Sequence, residues 1–281
     1  METTFYKMHG LGNDFILIDC IENKSMQDSA VSRLTGLAAK ICSRRLGIGA
    51  DQLLLLYPSE KADFRMRIFN ADGSEVEMCG NGIRCLAKYV WNRRYSNKKI
   101  LDIETMAGII RPEKNGDNGD MVKVDMGRPA LDAMDIPVKL EGEIMDFPLK
   151  IEDMEFNITC VSMGNPHTVI FIDNTDDFAV SYYGPLIENH ELFPGKTNVE
   201  FVQIINRDEI KMRVWERGAG ETPACGTGAS AAAVASALKE LTRREVTVHL
   251  SGGDLFLKWD SDGHVFMTGP AVTVFEGKID I

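Results

Sequence analysis

An internal repeat is the feature that most constrains what this chain of 281 residues can fold into. Residues 66–70 (Met-Arg-Ile-Phe-Asn) align with residues 212–216 (Met-Arg-Val-Trp-Glu), 146 positions further along the chain. The same offset superimposes Cys-Gly-Asn-Gly at 79–82 on Cys-Gly-Thr-Gly at 225–228. Because unrelated segments rarely share two motifs at one spacing, the alignment predicts two copies of one fold.

Further polar landmarks recur in the same order in both halves. At the offset of 146, Gln52 aligns with Asn198 and Glu75 with Glu221, and at an offset of 152 the Gly-Asn pair at 12–13 aligns with that at 164–165. Each Gly-Asn pair stands just ahead of a β-rich run. The shared order of these landmarks strengthens the prediction of a duplication.

Most of the chain reads as short β-rich or alternating runs, for example 15–19, 64–69 and 201–206. Helical periodicity appears at 83–91. A further helix is predicted over 229–241, where Ala stands on nearly every side, so that other elements can approach it from all directions. These patterns predict an α/β (α+β) fold in which strands dominate and one helix is buried.

The boundary between the halves is predicted near 126–130, because Gly-Arg-Pro at 127–129 follows a strand and breaks it. We expect an N-terminal half over 1–126 with Cys79 and a C-terminal half over 127–270 with Cys225. A final strand over 271–281 could return to the N-terminal half.

In each half a β-rich run leads through a polar loop to Cys-Gly-x-Gly and then to a helical pattern. This order places Cys79 and Cys225 at helix N-termini, where unpaired N–H groups and the helix dipole are expected to lower the pKa of a thiol. The glycines let a substrate approach the bare backbone. The free N–H groups predicted to hold a carboxylate are those of Gly80, Asn81, Gly226 and Thr227.

Two such thiols suit the inversion of a carbon centre. If the halves pack with pseudo-two-fold symmetry, one thiolate can remove a proton from one face of the carbon while a thiol delivers a proton to the other. A single base cannot reach both faces. Identical residues in duplicated halves fit a reaction that runs in both directions, because the two groups then exchange protonation states.

The remaining cysteines are interpreted as small core residues, because each lies within an apolar pattern. They are Cys20, Cys42, Cys85 and Cys160. Neither Cys-x-x-Cys nor His-Glu-x-x-His occurs in the sequence, so we expect no metal ion. The glycine-rich loops also lack the phosphate-loop and dinucleotide patterns, so we expect no nucleotide cofactor.

Amide side chains are unusually frequent around these loops. They are Asn13, Gln52, Asn70, Asn81, Asn165 and Asn198, and they are accompanied by Glu216 and Arg217. Such a mixture of donors and acceptors suits a zwitterionic amino acid. His167, two residues after Asn165, is a candidate for tuning the pKa of a thiol.

Charge limits the choice of partners. The chain has 31 Lys and Arg against 42 Asp and Glu, a formal net charge of −11, which is the wrong sign for binding phosphates. We therefore expect no nucleic-acid partner. No apolar run has the length of a signal peptide or a membrane span, so we expect no membrane partner and a cytoplasmic location.

Five motifs of the chain closely resemble those of the diaminopimelate epimerase family. They lie at 7–15, 47–52, 69–82, 164–167 and 215–228, and the resemblance extends over nearly the whole chain. It implies a fold of two pseudo-symmetric halves, each a barrel-like sheet around a central helix, with the active-site cleft between them. It also implies a homodimer that interconverts LL- and meso-diaminopimelate without a cofactor.

The resemblance assigns roles to individual positions. It makes Cys79 and Cys225 the two acid/base residues, and His167 and Glu216 the residues that adjust the thiol pKa values. The residues implied to contact substrate through side chain or backbone are Asn13, Gln52, Asn70, Gly80, Asn81, Asn165, Asn198, Glu216, Arg217, Gly226 and Thr227.

Two other classes of protein remain open. An enzyme like proline racemase would share the thiol pair, but its small cyclic substrate would not need the additional Asn and Arg side chains. A two-lobed amino acid-binding protein would explain a cleft lined with amides, yet it would not need reactive thiols. Incorporation of solvent deuterium at the α-carbon of diaminopimelate separates the three.

Overall fold

The computed structural model describes residues 2–23, 31–116 and 120–281. It divides into two compact units, the first combining Met1–Val124 with Thr268–Ile281 and the second spanning Asp125–Met267. Within the described residues, none of the helices is both long enough and apolar enough to cross a membrane.

The elements follow one another in chain order. The first part contains β1 (Glu2–Gly10), β2 (Asn13–Asp19), α1 (Val31–Ile41), β3 (Gln52–Tyr57), β4 (Phe64–Asn70), β5 (Glu75–Val76), α2 (Gly80–Asn92), β6 (Ile103–Thr105), β7 (Gly108–Ile110), β8 (Glu113–Asn115) and β9 (Met121–Asp125). The remainder contains β10 (Phe147–Ile151), β11 (Met154–Ser162), β12 (Pro166–Phe171), α3 (Val180–Glu188), β13 (Asn198–Asn206), β14 (Glu209–Glu216), β15 (Gly220–Thr222), α4 (Gly226–Leu238), β16 (Glu245–Leu250), β17 (Gly253–Trp259), β18 (Val265–Pro270) and β19 (Val272–Asp280).

The two units repeat one sheet topology. One sheet has the strand order β19-β1-β2-β3-β4-β6-β7 with β5 paired to β4, and the other has the order β10-β11-β12-β13-β14-β16-β17-β18-β9-β8 with β15 paired to β14. The parallel pairs are β2 with β3 and β4 with β6 in the first unit, and β12 with β13 and β14 with β16 in the second. Strands β1–β7 therefore correspond to β11–β17, and the duplication predicted from sequence is confirmed.

One helix in each unit contacts most of the strands of its sheet. Helix α2 packs on β1, β2, β3 and β4, and helix α4 packs on β11, β12, β13, β14, β16 and β17. Residues 229–236 of α4 are all buried, and most of them are Ala. Small side chains let strands approach this helix closely, as the sequence predicts, although α4 begins at Gly226 rather than at Ala229.

An ion pair recurs with the repeat. Arg67 Nε lies 2.7 Å from Glu75 Oε1 in the first unit, and Arg213 Nε lies 2.7 Å from Glu221 Oε1 in the second. Each pair joins the long strand β4 or β14 to the short strand β5 or β15. The pairs fix the loop that leads from the strand into Cys-Gly-x-Gly.

Candidate active site

In the first unit, three amides meet at one end of the sheet. Asn13 begins β2, Gln52 begins the parallel neighbour β3, and Asn70 ends the antiparallel strand β4 opposite Gln52. Gly12, with a φ of +89°, provides the left-handed turn that feeds Asn13 into its strand. The topology thus brings together side chains that lie far apart in the sequence.

Cys79 is the N-cap residue of α2 and lies beside Asn13. Its Sγ is 3.6 Å from Asn13 Oδ1, and Asn81 Nδ2 donates to the same oxygen at 3.2 Å. Asn13 Nδ2 in turn donates to Asp51 Oδ2 at 2.9 Å. These bonds fix the orientation of the Asn13 amide against the thiol.

Gln52 and Asn70 form the second amide pair of this unit. Gln52 Nε2 donates to Asn70 Oδ1 at 2.8 Å, and Asn70 Nδ2 donates to Ser74 Oγ at 3.0 Å. Gln52 Oε1 is buried and has no hydrogen-bond partner within the described part of the chain. A buried acceptor of this kind is costly unless a ligand donates to it.

The first turn of α2 presents backbone donors. Hydrogen bonding within the helix starts with Ile83 N–H, which donates to Cys79 O at 2.9 Å. The preceding N–H groups, including those of Gly80 and Asn81, therefore point out of the helix end. Together with the helix dipole they form a site suited to a carboxylate.

The second unit repeats this geometry with different side chains. Asn165 precedes β12, Asn198 begins the parallel strand β13, and Glu216 ends the antiparallel strand β14. Cys225 is the N-cap residue of α4, and Ala229 N–H donates to its carbonyl oxygen at 2.9 Å. The N–H groups of Gly226 and Thr227 therefore point out of the helix end, as in the first unit. The turn before Asn165 again contains a left-handed glycine, at 164.

A hydrogen-bonded chain runs from a buried carboxylate to the second thiol. His167 Nδ1 lies 2.7 Å from Glu200 Oε1, and His167 Nε2 lies 3.0 Å from Asn165 Oδ1. Asn165 Nδ2 donates to Thr227 Oγ1 at 3.4 Å, and this oxygen lies 3.5 Å from Cys225 Sγ. Because Asn165 uses its Nδ2 to donate to Thr227, its Oδ1 is the atom that accepts from His167 Nε2.

Asn198 supports the backbone around the site. Its Nδ2 donates to Pro166 O at 2.8 Å, and its Oδ1 accepts from Arg217 N–H at 2.9 Å. The Arg217 guanidinium is exposed and donates to Gly195 O at 3.1 Å. Asn198 therefore positions the Arg217 backbone, and the charged end of Arg217 remains accessible.

The sequence matches the family model for diaminopimelate epimerase over residues 5–131 and 159–274. Relatives named diaminopimelate epimerase are 53% identical in Moorella thermoacetica and 52% identical in Methanococcus maripaludis, with 99% of each chain covered in both comparisons. A relative of the same name in Carboxydothermus hydrogenoformans is 54% identical over 98% of each chain. The chain belongs to the diaminopimelate epimerase family.

Solved structures share the fold of this family member. A phenazine biosynthesis protein of the PhzF family from Bacillus anthracis matches with a TM-score of 0.70 and 19% identity over 100% of each chain. A hydroxyproline epimerase from Agrobacterium vitis matches with a TM-score of 0.68 and 15% identity, over 99% of this chain and 91% of the other. At these identities the likeness is one of fold, and the α+β prediction of duplicated halves is confirmed.

The expected lowering of the thiol pKa is wrong for Cys225. Burial raises the pKa of this thiol well above its ordinary value, and the carboxylates of Glu216 and Glu200 raise it further. The Thr227 hydroxyl and the Gly228 N–H oppose this shift by hydrogen bonding to the sulfur. Because desolvation and negative charge outweigh the helix N-terminus here, Cys225 holds its proton in this environment.

Glu216 is coupled to the same thiol. Burial raises the pKa of Glu216 above its ordinary value, and nearby Glu200 acts in the same direction. Hydrogen bonds from the hydroxyl of Thr222 and the thiol of Cys225 oppose the shift. Glu216 therefore accepts a hydrogen bond from the thiol of Cys225, and it raises the pKa of that thiol.

Sequence reasoning missed Glu200, which lies fully buried against His167. The β-rich run predicted from sequence covers 201–206, whereas the strand in the structure begins at Asn198 and includes Glu200. The offset of 146 contained the signal, since it aligns Glu200 with the apolar Leu54. Among the described residues, no three His, Cys, Asp or Glu side chains are grouped so that they could hold a metal ion.

Proposed function

We propose that this chain is an isomerase that interconverts LL- and meso-diaminopimelate, a step that supplies lysine and peptidoglycan precursors. The observation that carries the proposal is the repeated site, in which a Cys at a helix N-terminus stands beside outward-pointing N–H groups and matched polar side chains. Membership of the diaminopimelate epimerase family supports the choice of substrate.

We propose a mechanism with two thiols and no cofactor. The thiolate of one Cys removes the α-proton from one face of the substrate, and the electron pair left on carbon is stabilised by the carboxylate held on backbone N–H groups. The thiol of the other Cys donates its proton to the opposite face. After one turnover Cys79 and Cys225 have exchanged protonation states, so the reverse reaction uses the same groups.

The other polar residues are proposed to bind the substrate. Gln52 offers a buried oxygen for an ammonium donor, and Arg217 offers an accessible guanidinium for a carboxylate. The further contacts are assigned to Asn13, Asn70, Asn165, Asn198 and Glu216, and the N–H groups of Gly80, Asn81, Gly226 and Thr227 hold the reacting carboxylate.

Incubation of the enzyme with LL-diaminopimelate in D₂O tests the proposal. We expect the meso product to carry one deuterium at the inverted α-carbon, detected by mass spectrometry and proton NMR. Proline and hydroxyproline serve as competing substrates and should remain unlabelled. Labelling of proline instead would favour an enzyme like proline racemase, and binding without any exchange would favour an amino acid-binding protein.

Single variants test the thiol pair. Cys79→Ala and Cys225→Ala should each lower kcat for epimerisation by about 10³-fold or more, because each removes a group that transfers a proton. Cys160→Ala is the matched control and should keep most of the activity, since that thiol lies in the core. Normal turnover by Cys225→Ala would exclude the two-thiol mechanism.

We also propose that the enzyme works as a cytoplasmic homodimer. None of the six cysteines forms a disulfide, and both proposed acid/base thiols must stay reduced for turnover, which favours a reducing compartment. Light scattering at assay concentration should give twice the mass of one chain. Activity should survive dialysis against a chelator and treatment with a carbonyl reagent that destroys pyridoxal phosphate.

A further inference from the structure

The two copies of the repeat differ in charge at three positions inside the protein. At the offset of 146, Leu54 aligns with Glu200 and Arg84 with Ser230, and at the offset of 152 Phe15 aligns with His167. All six side chains are fully buried. Their surroundings in one unit can therefore be compared directly with those in the other.

Leu54 and Glu200 occupy the same place against their helices. A Cβ placed on Gly82 would lie 3.1 Å from Leu54 Cδ2, and one placed on Gly228 would lie 2.7 Å from Glu200 Oε1. In both units the Cβ added to this glycine would also lie close to the Cβ of the cysteine three residues earlier. The first thiol therefore has an apolar side chain where the second has a carboxyl group.

Arg84 and Ser230 are equivalent in the same way. Arg84 Nη1 donates to Gly80 O at 3.2 Å, and Ser230 Oγ donates to Gly226 O at 2.9 Å. Arg84 Nε also donates to Pro270 O at 3.2 Å. The first unit thus holds a guanidinium behind the first turn of its helix, where the second unit holds a neutral hydroxyl.

The charge of Arg84 acts on the thiols of its own helix. Burial lowers the pKa of this guanidinium, whereas Cys85 and Cys79 raise it by electrostatic attraction. Burial raises the pKa of Cys85 to about 12, so this thiol is neutral at physiological pH. The anion that Arg84 favours is therefore the thiolate of Cys79. The other charged groups near the pair are Lys88, which acts on Cys85, and Asp51, which accepts from Asn13.

The charges around Cys225 act in the opposite direction. Glu216 and Glu200 both disfavour its thiolate, and they are opposed only in part by the Thr227 hydroxyl and the Gly228 N–H. His167, whose Nδ1 lies 2.7 Å from Glu200 Oε1, lowers the pKa of Glu216, whereas Glu200 raises it. All of these contacts lie within the second unit.

Resting on the proposed function, we propose that Arg84 and Glu200 are positioning residues that make the duplicated site chemically unequal, so that Cys79 rests as the thiolate and Cys225 as the thiol. A reaction with two thiols needs one proton on the pair, and two identical environments would not decide which sulfur carries it. Buried residues at equivalent positions of the repeat make that choice without touching the substrate.

The wild-type enzyme without substrate provides the first test. Each thiol is alkylated with iodoacetamide across a range of pH, and the extent at each site is measured by peptide mass spectrometry. The midpoint of the pH dependence is compared rather than the rate, because Cys225 is less exposed than Cys79. We expect the lower midpoint at Cys79, and an equal or lower midpoint at Cys225 would overturn the proposal.

Charge variants provide the second test. Arg84→Met should raise the midpoint of Cys79 by about 1–3 pH units and leave that of Cys225 in place, and Arg84→Lys should restore it in part. Glu200→Gln should lower the midpoint of Cys225 alone. If Arg84→Met fails to fold, Glu200→Gln alone tests the proposal. Ser230→Ala is the matched control and should move neither. Unmoved midpoints in the folded charge variants would overturn the proposal.

The alkylation experiments can contradict this proposal without contradicting the proposed function, and the deuterium experiment can do the opposite. Alkylation needs no substrate, so unequal midpoints together with absent deuterium exchange would overturn the epimerase proposal and leave this one standing. Exchange together with equal midpoints would do the reverse.

Discussion

The pKa of Cys225 depends on the relative size of opposing effects. A helix N-terminus stabilises a nearby anion by about 0.3–1 kcal/mol, and by about 2 kcal/mol in partly buried geometries. Burial of an ionisable group shifts its pKa by up to about 3–5 units, and each unit corresponds to about 1.4 kcal/mol. Desolvation therefore outweighs the helix N-terminus at this buried thiol, and the charges of Glu216 and Glu200 act in the same direction as desolvation.

The pairing of His167 with Glu200 leads to a stability prediction. Replacing His167 by Phe, the residue found at the equivalent position 15, leaves a buried carboxylate without the partner 2.7 Å away. The free energy of unfolding should fall by about 3–5 kcal/mol at pH 7, as measured by urea denaturation.

A double variant is the control for this prediction. His167→Phe combined with Glu200→Leu copies the apolar pair Phe15 and Leu54 of the first unit. We expect it to recover most of the lost stability, because replacing both partners of a buried ion pair by apolar side chains is often neutral or favourable. A double variant as unstable as the single one would show that the unpaired carboxylate is not the cause.

At the scale of single residues, the repeat decided what could be predicted. Asn13, Asn165 and the two N-cap cysteines recur in matching order, so their places in the fold follow from one alignment. Arg84 and Glu200 do not recur, because each has a different side chain at the equivalent position, so a search for matching residues passes over them. A buried charge is recognised only once its partners from other strands or loops are known, as Pro270 O is for Arg84.

At the scale of elements, helix α4 shows why boundaries were harder to predict than the elements themselves. The predicted helix over 229–241 begins three residues late, because the two glycines at 226 and 228 have low helix propensity and read as part of the loop. In the structure they belong to the first turn. Glu200 packs so closely on Gly228 that a side chain there would clash, so tertiary packing outweighs propensity.

Helix α3 gives a prediction about packing. A Cβ added to Gly184 would lie 2.6 Å from Trp215 Cγ, and the Trp215 ring is held by the hydrogen bond of its Nε1 to Glu188 Oε2 at 2.7 Å. Gly184→Ala should therefore lower the free energy of unfolding by about 1–3 kcal/mol, as measured by urea denaturation. It should also lower kcat, because Trp215 directly precedes Glu216.

Helix α1 contains the matched control. A Cβ added to Gly36 would meet nothing within 4 Å among the described residues, and this glycine is exposed. Gly36→Ala should raise the free energy of unfolding by about 0.5–1 kcal/mol, because Ala restricts the unfolded chain and favours the helix. Equal losses from both substitutions would contradict the assignment of the Gly184 effect to its contact with Trp215.

At the scale of the whole molecule, the cysteines divide into the two proposed acid/base residues and four core residues. The core residues lie in both units: Cys20, Cys42 and Cys85 in the first, and Cys160 in the second. Burial raises the pKa of each of these four thiols to about 12. The interpretation of these four as core residues agrees with their burial, and it gives the fold a dependence on pH.

The sign of that dependence follows from proton linkage. Below about pH 8.5 the four thiols are protonated in both the folded and the unfolded chain, so their burial has no ionic cost. Above that pH the unfolded chain ionises its thiols while the folded chain keeps its protons until about pH 12. Stability should therefore fall as the pH rises, by up to about 1.4 kcal/mol per pH unit for each thiol.

Urea denaturation between pH 8 and pH 9.5, with reductant present, measures this slope before tyrosines and lysines begin to ionise in the unfolded chain. Cys160→Ala should reduce the slope by up to about 1.4 kcal/mol per pH unit, whatever its effect on stability at pH 7. Gly36→Ala changes stability without touching a thiol, so it should leave the slope unchanged. If Cys160→Ala keeps the full slope, the alkaline loss has another source, and the thiols do not carry the pH dependence of the fold.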